Sequence, residues 1–296
     1  MMERDGRFVI GRSMHVVENA PAKLNLALHV VGRRPDGYHL LESLVTFTEL
    51  GDTISVAPHE FDMLDVAGPY GSLIEGPNLI ETARDRLRER VGGGSVRIEL
   101  LKNLPVASGL GGGSADAAAT LRALRAIWDP DANTVSEVAA SLGADVPMCL
   151  ASATAIARGV GDVLAPTGLA VLGKLSVLLV NPGVPVSTPA VFEALASREN
   201  APVPPLPENP ETDTLLDWLA TTRNDLEAPA RLIAPEIGDA LASLHDSAFA
   251  RMSGSGATCF GLYRSERDAE AARTRIASEQ PDWFVARTRF LLENDT

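Results

Sequence analysis

A glycine-rich segment in the middle of the chain has the composition of a phosphate-binding loop. Four of its residues are glycines: Gly109, Gly111, Gly112 and Gly113. Because glycine has no Cβ atom, the backbone of such a loop can come close to a bound anion and can adopt positive φ angles at little cost. An Ala-rich segment with apolar residues at helical spacing follows from Ser114, and a helix N-terminus offers unpaired N–H groups and about half a positive charge. The segment therefore predicts an anion site, although glycines alone would also suit a flexible loop or a tight start of a helix.

Two common nucleotide-binding motifs do not fit this segment. A dinucleotide-binding fingerprint requires a third glycine, but Ser114 stands at that position. It also requires an acidic residue at the end of a second strand about 20 residues further on, and the chain has none there. A Walker-type loop requires Gly-Lys-Ser/Thr, and no lysine follows Gly113. A near match at Gly173-Lys174 is followed by Leu175, which lacks the hydroxyl that would hold Mg²⁺.

Lysine is rare in this chain, which makes each lysine a candidate for a special role. Of the 26 basic residues only three are lysines, namely Lys23, Lys102 and Lys174. Lysine offers a compact point charge whose pKa can be tuned, which the arginine guanidinium does not. Lys23 and Lys102 are therefore candidates for binding phosphate or a reacting oxygen. The alternative is that a lysine occurs at these positions without a functional reason, and this is our interpretation of Lys174.

The composition indicates a globular chain that does not bind nucleic acid. At 296 residues the chain is long enough for two domains, and its net charge of −13 would repel a nucleic acid. No apolar run reaches the roughly 18 residues of a membrane span, so we expect no membrane partner. The first 18 residues lack an apolar signal core and read as a short extension, in which Met14 could be an internal start. Cys149 and Cys259 lie among apolar residues, which favours buried free thiols and a reducing, cytoplasmic location.

The patterning predicts the elements that would position these residues. A strand over Ala20–Val31 would turn Leu24, Leu26 and Leu28 toward the core, and period-2 geometry would place Lys23, Asn25, Ala27 and His29 together on the opposite face. A turn is expected at Arg34–Gly37. Further strands are predicted at Asp52–Ala57, Val96–Leu101 and Leu175–Val180, and helices at Asn78–Arg90, Ser114–Trp128, Val135–Leu142 and Thr214–Thr222.

Two later segments are also informative. Ala201–Pro210 contains five prolines and predicts an exposed connector without regular helix. Asn224-Asp225 is a candidate cap for another helix, of which Leu226 and Leu232 would be core positions. The pattern alone leaves both α+β and α/β open.

Three segments together resemble the GHMP kinase superfamily, named for galactokinase, homoserine, mevalonate and phosphomevalonate kinases. Pro105–Ala115 is similar to its phosphate loop, Lys102 precedes that loop, and Ser253–Gly256 is similar to its C-terminal glycine motif. Further segments resemble the branch that acts on a cytidyl-linked methylerythritol in the non-mevalonate isoprenoid pathway: Pro21–Leu26, Arg34–His39, Gly143–Pro147, Asn181–Gly183, Ser187–Pro189 and Asn224-Asp225.

The resemblance implies an α+β, two-domain GHMP kinase fold with the active site in the inter-domain cleft. Residues 1–165 would form the domain with the phosphate loop, and residues 166–296 a domain that contributes to the substrate site. The implied activity is ATP-dependent phosphorylation of a tertiary 2-hydroxyl group. The cofactors would be ATP and Mg²⁺, with the protein ligands of Mg²⁺ unknown, and the partners would be small-molecule substrates.

The resemblance also implies roles for individual residues. The catalytic residues would be Asp145, which would accept the proton of the hydroxyl group, and Lys23, which would hold the attacking oxygen. Residues implied in ATP binding are Asn78, Lys102, Pro105, Gly109, Leu110, Gly111, Gly112, Gly113, Ser114 and Ala115. Residues implied in substrate binding are Asn25, Tyr38, His39, Thr188, Phe192, Gly254 and Ser255.

Chemistry of the residue types agrees with these roles but leaves alternatives. An aromatic ring such as Tyr38 can stack on a cytosine and an imidazole can hydrogen-bond its edge. Asp145 could instead be a turn aspartate before an extended Val146-Pro147 path. Asn78 could cap a helix, and we interpret Asp116, in the first turn of the predicted helix, as structural.

One position departs from the superfamily pattern. Ser108 stands where many relatives have glycine or alanine, so its effect on the phosphate loop is left open. Two further functions are possible: another GHMP-type kinase acting on mevalonate, a sugar or homoserine, or an inactive nucleotide-binding regulatory protein. Tyr38-His39 argues against the first, since those substrates have no base to stack, and the intact Lys23 and Asp145 argue against the second.

Overall fold

The chain folds into two β-sheets with helices packed against them, and the computed structural model describes residues 15–292. The hypothesis of an internal start at Met14 lies outside the described residues. The extension expected over residues 1–18 is too long, because the first strand already begins at Val16. No helix in the described range is long and apolar enough to cross a membrane.

The described residues form ten strands, nine α-helices and two short 3₁₀ turns. The strands are β1 Val16–Arg33, β2 His39–Pro58, β3 Met63–Ala67, β4 Val96–Leu101, β5 Ala155–Gly159, β6 Val163–Pro166, β7 Ser176–Asn181, β8 Phe249–Met252, β9 Cys259–Tyr263 and β10 Phe284–Arg289. The helices are α1 Leu79–Val91, α2 Gly112–Trp128, α3 Ala132–Leu142, α4 Val146–Ala151, α5 Thr188–Glu193, α6 Thr212–Thr221, α7 Glu227–Ile233, α8 Glu236–Ser243 and α9 Glu266–Glu279. The 3₁₀ turns are Gly71–Leu73 and Ala170–Lys174.

The two sheets are separate along the chain, and an isolated bridge joins Thr48 of β2 to Phe290, which follows β10. The first has the order β3-β4-β2-β5-β6, with β1 paired to β2, and the second has the order β10-β7-β9-β8. A hairpin at Arg34–Gly37 joins the long strands β1 and β2, and Gly37 takes the positive φ of +94° that this turn requires. The mixture of sheets and helices confirms the α+β prediction. The boundary between residues 165 and 166 stays a prediction.

Helix α2 carries the phosphate loop at its N-terminus and is held firmly in the core. Its alanines at positions 115, 117, 118, 119 and 123 are fully buried against the first sheet and its helices. Small side chains allow a helix to lie close to its neighbours. The helix begins at Gly112, two residues earlier than predicted, so Asp116 lies in its second turn rather than in the first.

The predicted alternation along β1 is wrong because the strand contains bulges. Its register with β2 shifts between Asn25 and Ala27, among other places, and each shift changes the face onto which the following residues project. Lys23 and Asn25 line the cleft together with Leu28, whereas His29 is buried elsewhere against the connector at Ala201. The segment after Tyr38-His39 is likewise one continuous strand, β2, rather than an apolar segment before a strand at Asp52.

The other predicted elements are confirmed within a few residues, with three exceptions. Val146-Pro147 does not follow an extended path but opens helix α4, because proline is tolerated in the first helical turn. Leu226 is buried as predicted, but Leu232 is 81% exposed, so its assignment to the core is wrong. Ala201–Pro210 has no regular helix, yet Val203 and Leu206 pack partly against the core, so the connector is not fully exposed.

Candidate active site

A cavity of about 1220 Å³ brings together residues from distant parts of the chain. It is lined by predicted site residues from both halves: Lys23, Asn25, Tyr38, His39, Asn78, Lys102, Pro105, Gly109, Gly111, Gly112, Gly113, Ser114, Asp145, Thr188, Phe192, Gly254 and Ser255. Leu110 and Ala115 do not line it, since their side chains are fully buried in the core. Leu110 can therefore offer a ligand only its backbone N–H, and the N–H of Ala115 is already bonded to Gly111 O. The roles assigned to all these residues stay predictions.

The backbone of the glycine loop has free donors. Across the described residues, no backbone N–H between Gly109 and Ser114 donates to a protein acceptor, and the ladder of α2 starts only with Ala115 N bonded to Gly111 O at 2.9 Å. Gly109 and Gly111 adopt φ angles of +78° and +67°, which side chains other than glycine rarely allow. The loop therefore presents consecutive N–H groups next to the N-terminus of a long helix, as an anion site requires.

An ion pair between Lys23 and Asp145 lies at the same cavity. Lys23 Nζ is 2.7 Å from Asp145 Oδ2, although the two residues are 122 positions apart in sequence. The lysine side chain is 9% exposed and the aspartate side chain 40%. Burial opposes the charge on Lys23, but the Asp145 carboxylate outweighs burial and raises the pKa of the lysine above its usual value. The pair therefore combines a fixed ammonium group with a carboxylate that water can reach.

A second lysine, Lys102, lies directly behind the loop between two carboxylates. Its Nζ is 2.6 Å from Asp52 Oδ2 and 2.6 Å from Asp116 Oδ2, and a Cβ atom on Gly112 would be only 3.0 Å from it. Asp52 also accepts the backbone N–H groups of Asn103 and Leu104, at 2.6 and 2.8 Å. Burial raises the pKa of Asp116 to about 7 despite the neighbouring Lys102, with Asp52 adding to the rise. Through Lys102, Asp116 of α2 is connected to Asp52 of β2, and its structural interpretation stays a prediction.

Aromatic residues form another part of the cavity wall. The rings of His39 and Phe192 are stacked with centroids 4.7 Å apart, while Tyr38 is 65% exposed. His39 Nε2 is buried and has no hydrogen-bond partner among the described residues. Burial, followed by the charges of Arg33 and Arg198, lowers the pKa of His39, so its imidazole is neutral at pH 7.

Asn25 has an amide oxygen that no protein group uses. Its Nδ2 donates to Ser43 Oγ at 2.8 Å, and Ser43 in turn donates to Ala27 O at 2.6 Å. Asn25 Oδ1 is buried without a partner among the described residues. Since buried polar atoms are rarely left unpaired, this oxygen is suited to accept a hydrogen bond from a ligand.

Asn78 caps a helix as well as lining the cavity. Its Oδ1 accepts the N–H of Ile80 at 3.0 Å, which satisfies a free donor at the start of α1. Capping uses the carbonyl oxygen, so the Asn78 amide nitrogen stays available to a nucleotide. Asn78 can therefore cap α1 and contact a nucleotide at the same time.

Oxygen atoms near the loop suit a Mg²⁺ ion that is held mainly by phosphate. No cluster of three or more His, Cys, Asp or Glu side chains in residues 15–292 could hold a metal by itself. Asp116 Oδ1 is buried and has no hydrogen-bond partner in this part of the chain, and Ser114 stands at the cavity. Carboxylate and hydroxyl oxygens are the kind of ligand Mg²⁺ takes beside substrate phosphates.

Sequence reasoning missed several residues of the site. Asp52 holds Lys102 from 50 positions away, and Ser43 holds Asn25 from a neighbouring strand. Asp52 follows Gly51 at a point where the strand pattern resumes, and nothing in its local sequence distinguishes it from a turn aspartate. Strand pairing brings both residues to the site, and single-sequence patterns do not reveal that pairing.

A glycine loop at a helix N-terminus and a Lys–Asp pair, in one cavity lined by both halves of the chain, are the features of a small-molecule kinase of the GHMP class. The family models agree: "GHMP kinases N terminal domain" matches residues 78–153 and "GHMP kinases C terminal" matches residues 211–282. A solved structure of homoserine kinase from Cytophaga hutchinsonii has the same fold, with a TM-score of 0.69 at 16% identity over 97% of each chain.

Closer relatives narrow this class. The 4-diphosphocytidyl-2-C-methyl-D-erythritol kinase of Paracoccus denitrificans is 54% identical over 92% of this chain and 96% of its own. That of Mesorhizobium japonicum is 51% identical over 92% of this chain and 94% of its own. A crystal structure of 4-(cytidine 5'-diphospho)-2C-methyl-D-erythritol kinase matches with a TM-score of 0.75 and 34% identity over 93% of this chain and 99% of that one. The chain belongs to the 4-diphosphocytidyl-2-C-methyl-D-erythritol kinase family.

Proposed function

We propose that this protein transfers the γ-phosphoryl group of ATP to the 2-hydroxyl of 4-diphosphocytidyl-2-C-methyl-D-erythritol. The observation that carries this proposal is the joint placement of a phosphate loop, a Lys–Asp pair and stacked aromatic residues around one cavity. Each group matches one chemical part of the reaction: the triphosphate, the reacting hydroxyl and the cytosine.

The phosphate loop binds the triphosphate through backbone donors. The free N–H groups between Gly109 and Ser114 and the dipole of α2 favour negative charge there. Lys102 lies behind the loop, where Asp52 and Asp116 balance its charge and fix its position. The free N–H groups and the helix dipole thus favour a polyanion at the loop, although the net charge of the chain is −13.

Asp145 and Lys23 handle the acceptor hydroxyl. Asp145 positions the hydroxyl group and accepts its proton as the oxygen–phosphorus bond forms and the bond from Pγ to the bridging oxygen of ADP breaks. Lys23 stays protonated because Asp145 raises its pKa, so it can stabilise the attacking oxygen. Because the Asp145 side chain is 40% exposed, the proton can then pass to water.

Mg²⁺, when bound, neutralises phosphate charge. Ser114 and Asp116 are the residues that would supply protein oxygens to it. Their place at the start of α2 puts them beside the loop that would hold the phosphates.

The aromatic residues select the cytidyl group. Tyr38 and Phe192 offer ring faces, and His39 offers a neutral imidazole with an unpaired Nε2. Base stacking contributes about 1–3 kcal/mol per base, enough to decide between substrates with and without a base. Asn25 Oδ1 is free to accept a hydrogen bond from a substrate hydroxyl.

A cytoplasmic location fits this activity. Cys149 and Cys259 are buried free thiols, as expected for a reducing compartment, and the negative net charge argues against a nucleic-acid partner. Small-molecule substrates are the partners that the cavity accommodates.

A substrate comparison tests the proposal. ADP release is measured with the purified protein and the cytidyl-diphosphate methylerythritol, mevalonate or homoserine as acceptor. We expect turnover only with the first. ADP release with mevalonate or homoserine would contradict the proposal that the site recognises a cytosine base. No ADP release with any of the three acceptors, in a protein that binds ATP, would favour an inactive regulatory protein.

A further inference from the structure

Three successive carbonyl groups of the phosphate loop are held from outside the loop. Ser108 O accepts from Thr258 N at 3.0 Å, Gly109 O from Ser253 Oγ at 3.2 Å, and Leu110 O from Lys23 N at 2.8 Å. The donors come from β1 and from the 253–258 segment that follows β8. The loop is therefore fixed between the two halves of the chain.

This anchoring has a consequence for the loop N–H groups. In a trans peptide the carbonyl and the following N–H point in opposite directions. Fixing the carbonyls of residues 108–110 therefore also fixes the N–H groups of residues 109–111, away from the donors. Those N–H groups are among the ones that no protein acceptor uses in the described residues.

Ser253 is the single side chain among the three anchors, and it makes a second hydrogen bond. Its hydroxyl donates to Gly109 O and accepts the N–H of Asn25 at 3.1 Å. Asn25 lies at a bulge of β1, two residues after Lys23, and its own side chain faces the cavity. Ser253 is fully buried, so water cannot replace either bond.

The backbone of the phosphate loop packs tightly against the segment 253–256. A Cβ atom on Gly109 would lie 2.5 Å from Ser253 O and 2.9 Å from Gly256 N and O. The C-terminal glycine motif thus lies directly against the loop backbone. A shift of Ser253 would move the loop and β1 together.

From this arrangement we propose that Ser253 is a positioning residue, which couples the substrate-binding strand β1 to the phosphate loop through its bonds to Asn25 and Gly109. Ser253 is fully buried and does not line the cavity; it aligns the loop donors with the hydroxyl-binding pair Lys23–Asp145. The proposal rests on the proposed function for its catalytic consequence, but its effect on phosphate binding does not depend on the acceptor substrate.

The test compares ADP with adenosine as ligands of the Ser253→Ala variant. Both contain the nucleoside, but only ADP has phosphates, so their affinity ratio reports on the loop. We expect Ser253→Ala to weaken ADP binding about tenfold and adenosine binding less than twofold, by ligand-observed NMR. Hydrogen exchange of residues 106–114 should also accelerate, with the remaining helices protected as before.

A matched control and a second variant keep the result interpretable. Ser176, in β7, is also a buried serine, but its hydroxyl has no partner in the described residues, so Ser176→Ala should change neither affinity nor exchange. Should Ser253→Ala fail to fold, Ser253→Cys retains a weak donor and should give an intermediate ADP preference.

Two results would overturn the proposal. Unchanged ADP affinity and loop exchange in Ser253→Ala would show that the hydroxyl does not position the loop. An equal loss for ADP and adenosine, with exchange rising throughout the protein, would show a general structural role. Failure of the proposed function would appear separately, as absence of turnover in the unaltered protein.

Discussion

At the residue scale, Asp145 is the group on which the chemistry depends most. We expect Asp145→Asn to lower kcat about 100-fold or more, because a general base is removed, while the affinity for ATP stays nearly unchanged. Steady-state kinetics and nucleotide titration measure the two effects. Asp65→Asn, which breaks the exposed pair of Asp65 and Arg97 outside the cavity, is the matched control. Unchanged kcat in Asp145→Asn would remove Asp145 from the mechanism.

Recognition of the cytosine is also a residue-scale property. Tyr38→Ala should raise KM for the cytidyl substrate roughly tenfold through loss of stacking, with KM for ATP unchanged. Phe61→Ala removes another exposed aromatic ring, 55% exposed and outside the cavity, and should affect neither constant. A parallel rise of both KM values in Tyr38→Ala would place Tyr38 in the fold rather than in the base site.

At the element scale, the two glycines Gly109 and Gly113 at the junction between the loop and helix α2 have different surroundings. Gly109 has a φ of +78° and close backbone neighbours, whereas Gly113 lies in the helix with nothing within 4 Å of a Cβ atom. Gly109→Ala should therefore destabilise the protein by about 1–3 kcal/mol or more. Gly113→Ala should keep or raise stability, since alanine favours a helix, but should raise KM for ATP if phosphate approaches there.

Urea unfolding and ATP kinetics on both variants check this prediction. Equal stability of Gly109→Ala and the unaltered protein would contradict the close packing of the loop against Ser253. A loss of stability in Gly113→Ala would contradict the open space beside the start of α2.

Elements that depend on local signals could be predicted from the sequence, and those that depend on distant pairing could not. Strand β4 was predicted with its observed bounds, and the glycine loop before α2 was predicted because composition and helix periodicity coincide there. The prediction of which β1 side chains share one face was wrong, because the bulges that change the face depend on the pairing with β2. The assignment of Leu232 to the core was wrong because helical periodicity does not show which face of a helix packs against a neighbouring element.

The candidate site followed the same division. Residues that stand in short motifs, such as Lys23 and Asp145, were predicted, and the structure places them 2.7 Å apart. Their supporting residues were missed: Asp52 and Ser43 act through hydrogen bonds to residues many positions away. Such bonds are set by strand pairing, which a single sequence does not contain.

At the scale of the whole molecule, His29 joins β1 to the connector and to the segment before α7. Its Nδ1 donates to Ala201 O at 3.0 Å and its Nε2 accepts from Arg223 N at 3.1 Å, so the imidazole is bound in its neutral form. Burial lowers the pKa of His29 below its usual value, with the charge of Arg223 adding to the effect against the opposing bond to Ala201.

This histidine predicts a stability that depends on pH. Because its pKa is lower in the folded than in the unfolded state, its contribution is present above the usual pKa near 6.5 and is lost as pH falls below that value. The melting temperature should therefore fall between pH 7 and pH 5, and His29→Gln should flatten that part of the curve. His245→Gln, at an exposed histidine, should leave the curve unchanged. A slope that persists in His29→Gln would assign the acid sensitivity to other groups.

The central claim is the transfer of phosphate to one particular hydroxyl group, and the ³¹P NMR spectrum of the product tests it most directly. The 2-carbon of the methylerythritol is tertiary and bears no hydrogen. Phosphorylation there should give, besides ADP, a new phosphomonoester signal without three-bond coupling to a proton. A new signal split by neighbouring protons would place the phosphate on a primary or secondary hydroxyl, and no new phosphomonoester signal would contradict the kinase assignment.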